Sequence, residues 1–345
     1  MKKKSIQFLT LDALRGLAAI IVAIFHFSPW WGGYLAVDFF LVLSGFILSH
    51  SYLYKDNTTT VIDFIGHRLA RLYPLHIFTL FTFIIASIFV NGSAPIYTDG
   101  TLFTFIQHLT LTQNIGFNPR GLTYNYPSWS ISVEFWVNVL FILYISKATK
   151  NSTLFITALI GILIIYGNTG HLDTQSENYY SFINSGIIRG ISSFFLGILS
   201  YRIYIYYRKN IYLIKYISYI EVLCVIVVSV IVIARSGKFS GLDVFAPFVF
   251  MFVVAVFTFE TGFLSKRILK LKYLGEIPYS IYLNQITVLI TIKYLLSRFD
   301  LSKSSVLLVY LIVLIIYSHF TFQYIEKPLR KKGRNLLSKI TATPR

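Results

Sequence analysis

Apolar runs long enough to cross a lipid bilayer recur along the whole chain. A transmembrane helix needs about 20 mostly apolar residues, and ten such runs can be placed, the fifth being the shortest. They cover residues 9–28, 34–53, 72–90, 129–146, 153–167, 183–201, 214–234, 244–260, 278–297 and 305–323. Only 13% of the 345 residues are charged, whereas soluble domains carry about 25%. The sequence predicts an all-α polytopic membrane protein with about ten transmembrane helices, and excludes a soluble enzyme, a disordered chain and a nucleic-acid reader.

The Lys and Arg side chains predict the orientation in the membrane. With the amino terminus placed inside, 23 of the 31 basic residues fall in inside segments, five in outside segments and three within spans. Cytoplasmic loops carry such an excess, so both termini are predicted to be cytoplasmic. Residues 1–326 form the predicted transmembrane domain, and residues 327–345 form a basic tail on the inner leaflet. Topology and contact with anionic lipid then explain the net charge of +17.

The first run carries two ionisable side chains on one helix face. Arg15 and His26 are eleven residues apart, which separates them by about 20° in azimuth and about 16 Å along the axis. An ionisable side chain inside a span costs about 2.5–3.5 kcal/mol on insertion scales and indicates function by default. The pair favours a reaction that takes one reactant from each side of the membrane. The alternative is an Arg that snorkels to the helix end and a His bonded to a neighbouring carbonyl.

Three further charged residues are predicted at the depth of His26, near the outer boundary: Asp38, Glu134 and Arg189. A carboxylate there can orient an imidazole and stabilise its charged form, and Arg189 is a candidate counter-ion. The alternative for Asp38 is a helix N-cap or a partner for Arg189. Trp129 is predicted to be an anchor at the membrane interface.

Arg68 and Arg71 are predicted to precede the third span, three residues apart. Residues at this spacing share one face at the start of a helix, and two guanidiniums can bind a phosphate or diphosphate bidentately. Anchoring by the positive-inside rule is an equally good explanation from charge alone. Elsewhere, Ser44-Gly45 predicts close helix packing, and Glu221, near a helix end, is predicted to be solvated or to contact lipid headgroups. No ligand spacing indicates a metal site.

Five short motifs follow one another along nearly the whole chain. They are Leu11-Asp12-Ala13-Leu14-Arg15-Gly16 through His26, Val37-Asp38-Phe39-Phe40 with Leu43-Ser44-Gly45-Phe46, the pair Arg68 and Arg71, Trp129-Ser130-Ile131-Ser132-Val133-Glu134, and Tyr324-Ile325-Glu326-Lys327-Pro328-Leu329-Arg330. Together and in this order they resemble the acyltransferase-3 family of bacterial integral membrane O-acyltransferases, which includes polysaccharide and O-antigen acetylases.

The resemblance implies an acyl-CoA co-substrate, usually acetyl-CoA, at the cytoplasmic face and no bound cofactor. It implies as acceptor a sugar hydroxyl of an envelope glycan or of its lipid-linked precursor, and a location in the bacterial cytoplasmic membrane. On this hypothesis Arg68 and Arg71 hold the coenzyme A phosphates and Arg15 positions the pantetheine or thioester. His26 is the general base, or carries the acyl group transiently. Asp38 or Glu134 orients it, and Arg189 balances the charge.

A supporting set of residues completes the predicted site: Trp129, Ser130, Ser132, Tyr282 and Gln285. Many relatives carry histidine where Gln285 stands, and Gln cannot take up a proton at neutral pH, so any role as a base is lost there. The rival function is a transporter or flippase of a lipid-linked glycan, which intramembrane charges also suit. A non-catalytic scaffold is disfavoured by the clustered ionisable residues.

Overall fold

The structure is a computed structural model that describes residues 7–29, 31–54, 59–97, 100–116, 122–174, 177–179, 183–234 and 240–341. The described chain is almost entirely helical, which confirms the predicted all-α class. Several basic residues used above for the orientation lie outside the described residues: Lys2, Lys3, Lys4, Lys55, Arg120, Arg235, Lys238 and Arg345.

Thirteen α-helices follow one another in the described ranges. They are α1 (Leu9–Phe27), α2 (Ala36–Leu48), α3 (Val61–Asn91), α4 (Thr101–Leu109), α5 (Trp129–Tyr144), α6 (Asn151–Thr169), α7 (Ser185–Tyr207), α8 (Ile211–Ala234), α9 (Ala246–Phe257), α10 (Phe263–Ile268), α11 (Pro278–Leu296), α12 (Lys303–Thr321) and α13 (Lys327–Thr341). Four 3₁₀ segments (Gly32–Leu35, Tyr126–Ser128, Ser240–Phe245 and Leu269–Gly275) and two π-helical turns (Ser49–Leu53 and Phe322–Glu326) join or extend them. Two short strands, β1 (Asn178–Tyr179) and β2 (Ile183–Asn184), pair antiparallel.

Seven helical segments of the described chain are long and apolar enough to cross a membrane. They are Leu9–Phe27, Gly32–Leu53, Val61–Asn91, Asn151–Thr169, Ser185–Tyr207, Ile211–Ile233 and Lys303–Lys339. The other three predicted spans coincide with helices that are shorter or more polar, because α5 has 16 residues, α9 has 12, and α11 carries Asn284, Gln285 and Lys293. The protein is therefore a multi-pass membrane protein. The count of ten spans and the orientation of the termini stay predictions.

Helix α3 begins eleven residues earlier than the apolar run that predicted it. Thr60 is its N-cap, and the Thr60 hydroxyl accepts a hydrogen bond from the backbone N–H of Asp63 at 3.1 Å. The first three turns of α3 contain the charged residues Asp63, Arg68 and Arg71. A prediction from hydropathy alone therefore places the start of the helix too late in the chain. The two arginines therefore lie within α3 and not before it, and the prediction of the boundary was wrong.

Helices α2 and α7 cross with their backbones in contact. A Cβ atom built on Gly45 would lie 2.1 Å from the carbonyl oxygen of Phe194, and one built on Gly197 would lie 2.0 Å from that of Val42. Only glycine permits this approach, which is a common way for helices to associate where the surrounding lipid is as apolar as the side chains. The close packing predicted from Ser44-Gly45 is confirmed.

The bundle has two ends that differ in charge. At the basic end α1, α3 and α11 begin and α13 lies against α3. The opposite half contains the end of α1 and the first turns of α2, α5 and α7. Glu221 is fully buried near the basic end, where its carboxylate accepts hydrogen bonds from the backbone N–H groups of Leu264 and Ser265 at 2.8 and 3.2 Å. It caps α10, so the predicted contact with solvent or headgroups was wrong.

Candidate active site

A cavity of about 120 Å³ lies among α1, α2, α3, α5 and α11, toward the basic end. We call it the central cavity. Seven ionisable side chains of Arg and Glu line it: Arg15, Arg68, Arg71, Arg330, Glu134, Glu276 and Glu326. Four guanidiniums thus face three carboxylates across a small space, and the walls between them are apolar or hydroxylic. Such a convergence of charge in a concave site is the usual mark of a functional site.

Arg68 and Arg71 lie one turn apart on α3 and both face the central cavity. Arg68 is 8% exposed and its guanidinium lies 5.4 Å from the centre of the Phe64 ring. Among the described residues, neither arginine forms an ion pair with a carboxylate within 4 Å. Arg68 is buried and Arg71 is half-buried. Guanidiniums in such places that form no ion pair favour an anionic ligand, because burial of an uncompensated charge is costly.

Arg15 lies at the boundary of the central cavity. Its Nη2 atom donates to Oδ1 of Asp12 at 2.9 Å. Its Nε atom is buried and has no hydrogen-bond partner in the part of the chain that the structure describes. Gly16 sets this position, since a Cβ there would lie 2.4 Å from the carbonyl oxygen of Leu274. Arg15 therefore has a donor that a ligand can use.

Glu134 lies with the arginines of the central cavity and apart from Asp38. Its Oε1 atom accepts a hydrogen bond from the Ser44 hydroxyl at 3.3 Å. In this position Glu134 is close enough to Arg15 and Arg68 to interact with their charges. The structure thus separates the predicted cluster at the outer boundary into two groups.

Asp38 and Arg189 form the second group, a fully buried ion pair in the opposite half. Arg189 donates from Nη2 to Asp38 Oδ2 at 2.5 Å and from Nε to Asp38 Oδ1 at 3.0 Å. The Ser193 hydroxyl donates to the same Oδ1 at 2.9 Å. The guanidinium also lies 5.6 Å from the Trp129 ring centre and 5.7 Å from that of Tyr34. Asp38 therefore adopts the alternative considered above, as the partner of Arg189.

His26 lies on α1 above the central cavity and does not line it. The ring is half-buried, with its centre 5.2 Å from the Tyr126 ring centre and 5.3 Å from that of Phe25. Within the described residues no hydrogen bond joins His26 to Asp38 or Glu134. Its ring nitrogens are therefore not oriented by either predicted carboxylate.

Three aromatic rings lie against the central cavity or against His26: Phe40, Tyr126 and Tyr282. We call them the aromatic layer. Phe40 and Tyr282 line the cavity, with ring centres 5.7 Å apart. The Tyr282 hydroxyl accepts from Ser130 at 2.8 Å and donates to the carbonyl of Pro127 at 2.9 Å. Tyr126, next to Pro127, contacts His26. Burial raises the pKa of the Tyr126 hydroxyl to about 12, so this phenol stays protonated at neutral pH.

The remaining supporting residues hold the surrounding backbone. The Ser132 hydroxyl donates to the carbonyl of Leu111 at 2.6 Å. Gln285 is fully buried, and its Nε2 atom donates to the carbonyl of Tyr282 at 2.9 Å. Gln285 does not line the central cavity. Its hydrogen bond to the carbonyl of Tyr282 links it to the site.

Sequence reasoning missed several residues of the central cavity. Glu326 is buried and its Oε2 atom accepts from the Ser280 hydroxyl at 2.7 Å, while the Tyr279 hydroxyl donates to the carbonyl of Leu72 at 2.6 Å. Arg330 lies four residues after Glu326, at a spacing that places both on one helix face. An acidic residue at the end of an apolar run, followed at this distance by Arg, was the available signal.

Comparisons with known proteins place the chain in a family. A family model described as an acyltransferase domain, that of acyltransferase-3, matches residues 8–322. O-acetyltransferase OatA of Staphylococcus aureus is 23% identical over 356 residues, which cover 94% of this chain and 57% of OatA. This chain thus spans little more than half the length of OatA.

Two further relatives match parts of the chain. Protein 2 in the picA locus of Rhizobium radiobacter is 31% identical over 183 residues, or 46% of this chain and 93% of that protein. Acyltransferase MdmB of Streptomyces mycarofaciens is 39% identical over 106 residues, or 30% of this chain and 26% of MdmB. No solved structure matches. Because the family model extends over nearly the whole chain, including the helices that form the central cavity, the chain belongs to the acyltransferase-3 family.

Proposed function

We propose that this protein is a membrane O-acyltransferase. It moves an acyl group, in our proposal acetyl, from acyl-CoA to a sugar hydroxyl of an envelope polysaccharide or its lipid-linked precursor. The basic end faces the cytoplasm of a bacterial cell, and the bilayer is the cytoplasmic membrane. The observation that carries the proposal is the central cavity, in which four guanidiniums, including those of Arg15, Arg68 and Arg71, face three carboxylates. Among the described residues, neither Arg68 nor Arg71 has a carboxylate within 4 Å.

The donor enters from the basic end. Arg68 and Arg71 bind the diphosphate of acyl-CoA, for which paired guanidiniums have suitable geometry. The unpartnered Nε of Arg15 donates to the pantetheine arm or the thioester oxygen. Hydrogen bonds to that oxygen strengthen as negative charge develops on it in the transition state, which accelerates acyl transfer.

His26 approaches the reaction from the acceptor side. A neutral imidazole takes the proton of the sugar hydroxyl while the sugar oxygen attacks the thioester carbon. The new C–O bond forms, the C–S bond breaks, and the imidazolium returns its proton to the leaving thiolate. Tyr126, which packs against the His26 ring, fixes its orientation in place of a carboxylate.

The aromatic layer sets a condition on this reaction. Direct attack requires the thioester carbon and the sugar oxygen about 3–3.5 Å apart, but His26 does not line the central cavity, whose wall includes Phe40 and Tyr282. Direct transfer therefore requires this wall to open toward His26 during turnover. In the alternative route, the His26 imidazole attacks the thioester carbon, a C–N bond forms and the C–S bond breaks to release the thiolate. The sugar hydroxyl then attacks the acyl-imidazole, so that the C–O bond forms, the C–N bond breaks and the hydroxyl proton passes to the imidazole.

The test is transfer of labelled acetyl from acetyl-CoA to glycan by the purified protein in lipid nanodiscs. We expect label in the glycan with wild type and loss of at least 100-fold in rate with His26→Ala, since a general base contributes about 10²–10⁴-fold. The matched control is His67→Ala, which removes an exposed histidine of α3. Full transfer by His26→Ala rejects the role of His26. No transfer by wild type rejects the enzyme and favours a transporter or flippase of the lipid-linked glycan.

A further inference from the structure

A second and larger cavity lies next to the central cavity at the basic end. Its volume is about 690 Å³, and it lies between the start of α1, the segment Leu269–Gly275 and one face of α13. We call it the vestibule. Five of its lining residues are basic and two are acidic, an excess of three positive charges: Arg15, Lys327, Arg330, Lys331 and Arg334 against Asp12 and Glu276.

The basic residues of α13 form a stripe that faces the vestibule. Lys327, Arg330, Lys331 and Arg334 follow the spacing i, i+3, i+4, i+7, which places them on one helix face over about 10 Å of axis. The stripe cannot turn freely, because another face of α13 is packed against α3. A Cβ on Gly66 would lie 2.5 Å from Leu337, and one on Gly333 would lie 2.9 Å from the Cβ of Ala70.

The vestibule and the central cavity are neighbours that share part of their walls. Arg15, Glu276 and Arg330 line both. A ligand with a charged, bulky end and a thin flexible arm can therefore place the end in the vestibule and the arm in the central cavity. Acyl-CoA has this shape, with a phosphorylated adenosine at one end and the pantetheine thioester at the other.

We propose that the vestibule binds the 3′-phosphorylated adenosine end of acyl-CoA and that the basic stripe of α13 recognises its 3′-phosphate. This subsite rests on the proposed function and adds residues outside Arg68 and Arg71 to it. A phosphomonoester carries about −1.5 to −2 charges at neutral pH, and guanidiniums bind it bidentately. The half-buried ring of Phe322 offers a face for the adenine. The volume lies within the range of about 300–1,000 Å³ that is usual for small-molecule sites.

An anionic lipid headgroup carries the same chemistry as the 3′-phosphate. The position of the stripe favours the nucleotide, since all four of its basic residues line the vestibule, which shares Arg15, Glu276 and Arg330 with the central cavity. Lys332 and the exposed Leu329 and Leu336 lie outside that lining. They are the part of α13 suited to the membrane surface. Lys332 is therefore a matched control for Lys331, its neighbour in the chain.

The experiment compares coenzyme A with 3′-dephospho-coenzyme A as ligands of the full-length protein in nanodiscs of neutral lipid. Affinity is measured by calorimetry for wild type, for the double variant Lys331→Gln with Arg334→Gln, and for Lys332→Gln. We expect wild type to bind coenzyme A about tenfold more tightly than the dephospho form. The double variant loses this preference, and Lys332→Gln retains it. Adenosine 3′,5′-bisphosphate competes with coenzyme A on wild type and on Lys332→Gln, and not on the double variant.

The outcomes separate the subsite from the proposed function. Equal affinity of wild type for both coenzymes overturns the subsite while leaving acyl-CoA as the donor. A double variant that keeps the preference also overturns it. If neither coenzyme binds wild type, the donor of the proposed function fails and the subsite falls with it. A final arm adds anionic lipid to the nanodiscs. If the double variant loses only thermal stabilisation by that lipid, the stripe is a headgroup site and the proposal is rejected.

Discussion

Arginine has opposite surroundings in the two halves of this protein. In the opposite half, Arg189 is 2% exposed and bound to both oxygens of Asp38, which is itself fully buried. In the central cavity, Arg68 is buried and Arg71 is half-buried, and among the described residues no carboxylate lies within 4 Å of either of them. In the first arrangement the protein itself supplies the counter-charge, although Nη1 of Arg189 is buried and has no hydrogen-bond partner among the described residues. In the second, four guanidiniums face three carboxylates, and an anion would complete the compensation.

This difference separates structural from functional charge. A buried guanidinium needs its charge compensated. Where the chain supplies the carboxylate, the pair fixes two helices in register, here α2 and α7. Where no carboxylate of the chain pairs with the guanidinium, an anionic ligand can neutralise it, and the free energy gained contributes to ligand binding. Substitutions at the Asp38–Arg189 pair should therefore lower stability, whereas substitutions at Arg68 and Arg71 should lower ligand affinity.

The largest expected effect is on stability in the opposite half. Asp38→Asn leaves Arg189 buried and without its counter-charge, which should cost about 3–5 kcal/mol. Thermal unfolding in detergent measures the loss, together with the amount of protein in the membrane. The matched control is Asp12→Asn, because Asp12 forms a partly exposed ion pair with Arg15, and such pairs contribute at most about 1 kcal/mol. Equal losses in the two variants would contradict the comparison.

The next effect is on ligand affinity in the central cavity. Arg68→Gln with Arg71→Gln should weaken acyl-CoA binding about 100-fold, or about 2.7 kcal/mol, because two charge-assisted contacts are lost. Thermal stability without ligand should be unchanged or higher, since two uncompensated charges are removed. Calorimetric titration and melting of the same sample give both quantities. Arg267→Gln, an exposed arginine at the same end, serves as the control, and unchanged binding in the double variant rejects the assignment.

A third effect concerns pH and lies outside the predicted spans, at α4. Burial lowers the pKa of His108 from 6.5 to about 3, with a further contribution from nearby His76. The unfolded chain therefore binds more protons than the folded one between about pH 6.5 and 3, and stability falls as the pH falls through that window. His108 should account for a loss of up to about 2 kcal/mol by pH 5. Melting of wild type and His108→Gln across this range tests it. A variant with the wild-type pH profile would show that His108 has no part.

The smallest effect is on the hydrogen bond that supports the buried pair. Ser193→Ala removes the donor to Asp38 Oδ1 and should cost about 1.5 kcal/mol, as is usual for a hydrogen bond to a charged group. Ser192→Ala is the control, because the Ser192 hydroxyl donates only to the carbonyl of Ile188 within its own helix. Thermal unfolding should rank Ser193→Ala below Ser192→Ala. The reverse order would mean that Arg189 alone satisfies Asp38.

The sequence alone predicted a helical membrane protein, because the thickness of the bilayer sets the number of consecutive apolar residues that a transmembrane helix needs. Apolar runs of suitable length predicted transmembrane helices, and the low fraction of charged residues indicated that lipid surrounds them. The same criterion failed at the start of α3, where polar residues occupy turns that remain helical. Run length also says nothing about which neighbouring helices a side chain faces. Glu134 was therefore grouped with His26 and Asp38, whereas it lies in the central cavity with Arg68.

Partners across helices were the least predictable part of the site. Asp38 had two possible partners in the sequence, and the choice depended on the crossing of α2 and α7, which is a tertiary property. Glu326 and Arg330 lie more than 300 residues from Arg15 in the chain, yet they line the same cavity. Only the folded arrangement of α11 and the turn Phe322–Glu326 brings them there.

Because α2 and α7 are in contact at their glycines, adding one methyl group there would affect residues far from the substitution. An alanine at Gly45 would place its Cβ 2.1 Å from the Phe194 carbonyl oxygen, so the two helices would have to separate by about an ångström to restore an ordinary contact. Asp38 lies seven residues earlier on α2, about two turns away, and its bonds to Arg189 span the same gap. Gly45→Ala changes neither charge nor polarity, yet it would lengthen the hydrogen bonds of the Asp38–Arg189 ion pair about 10 Å away.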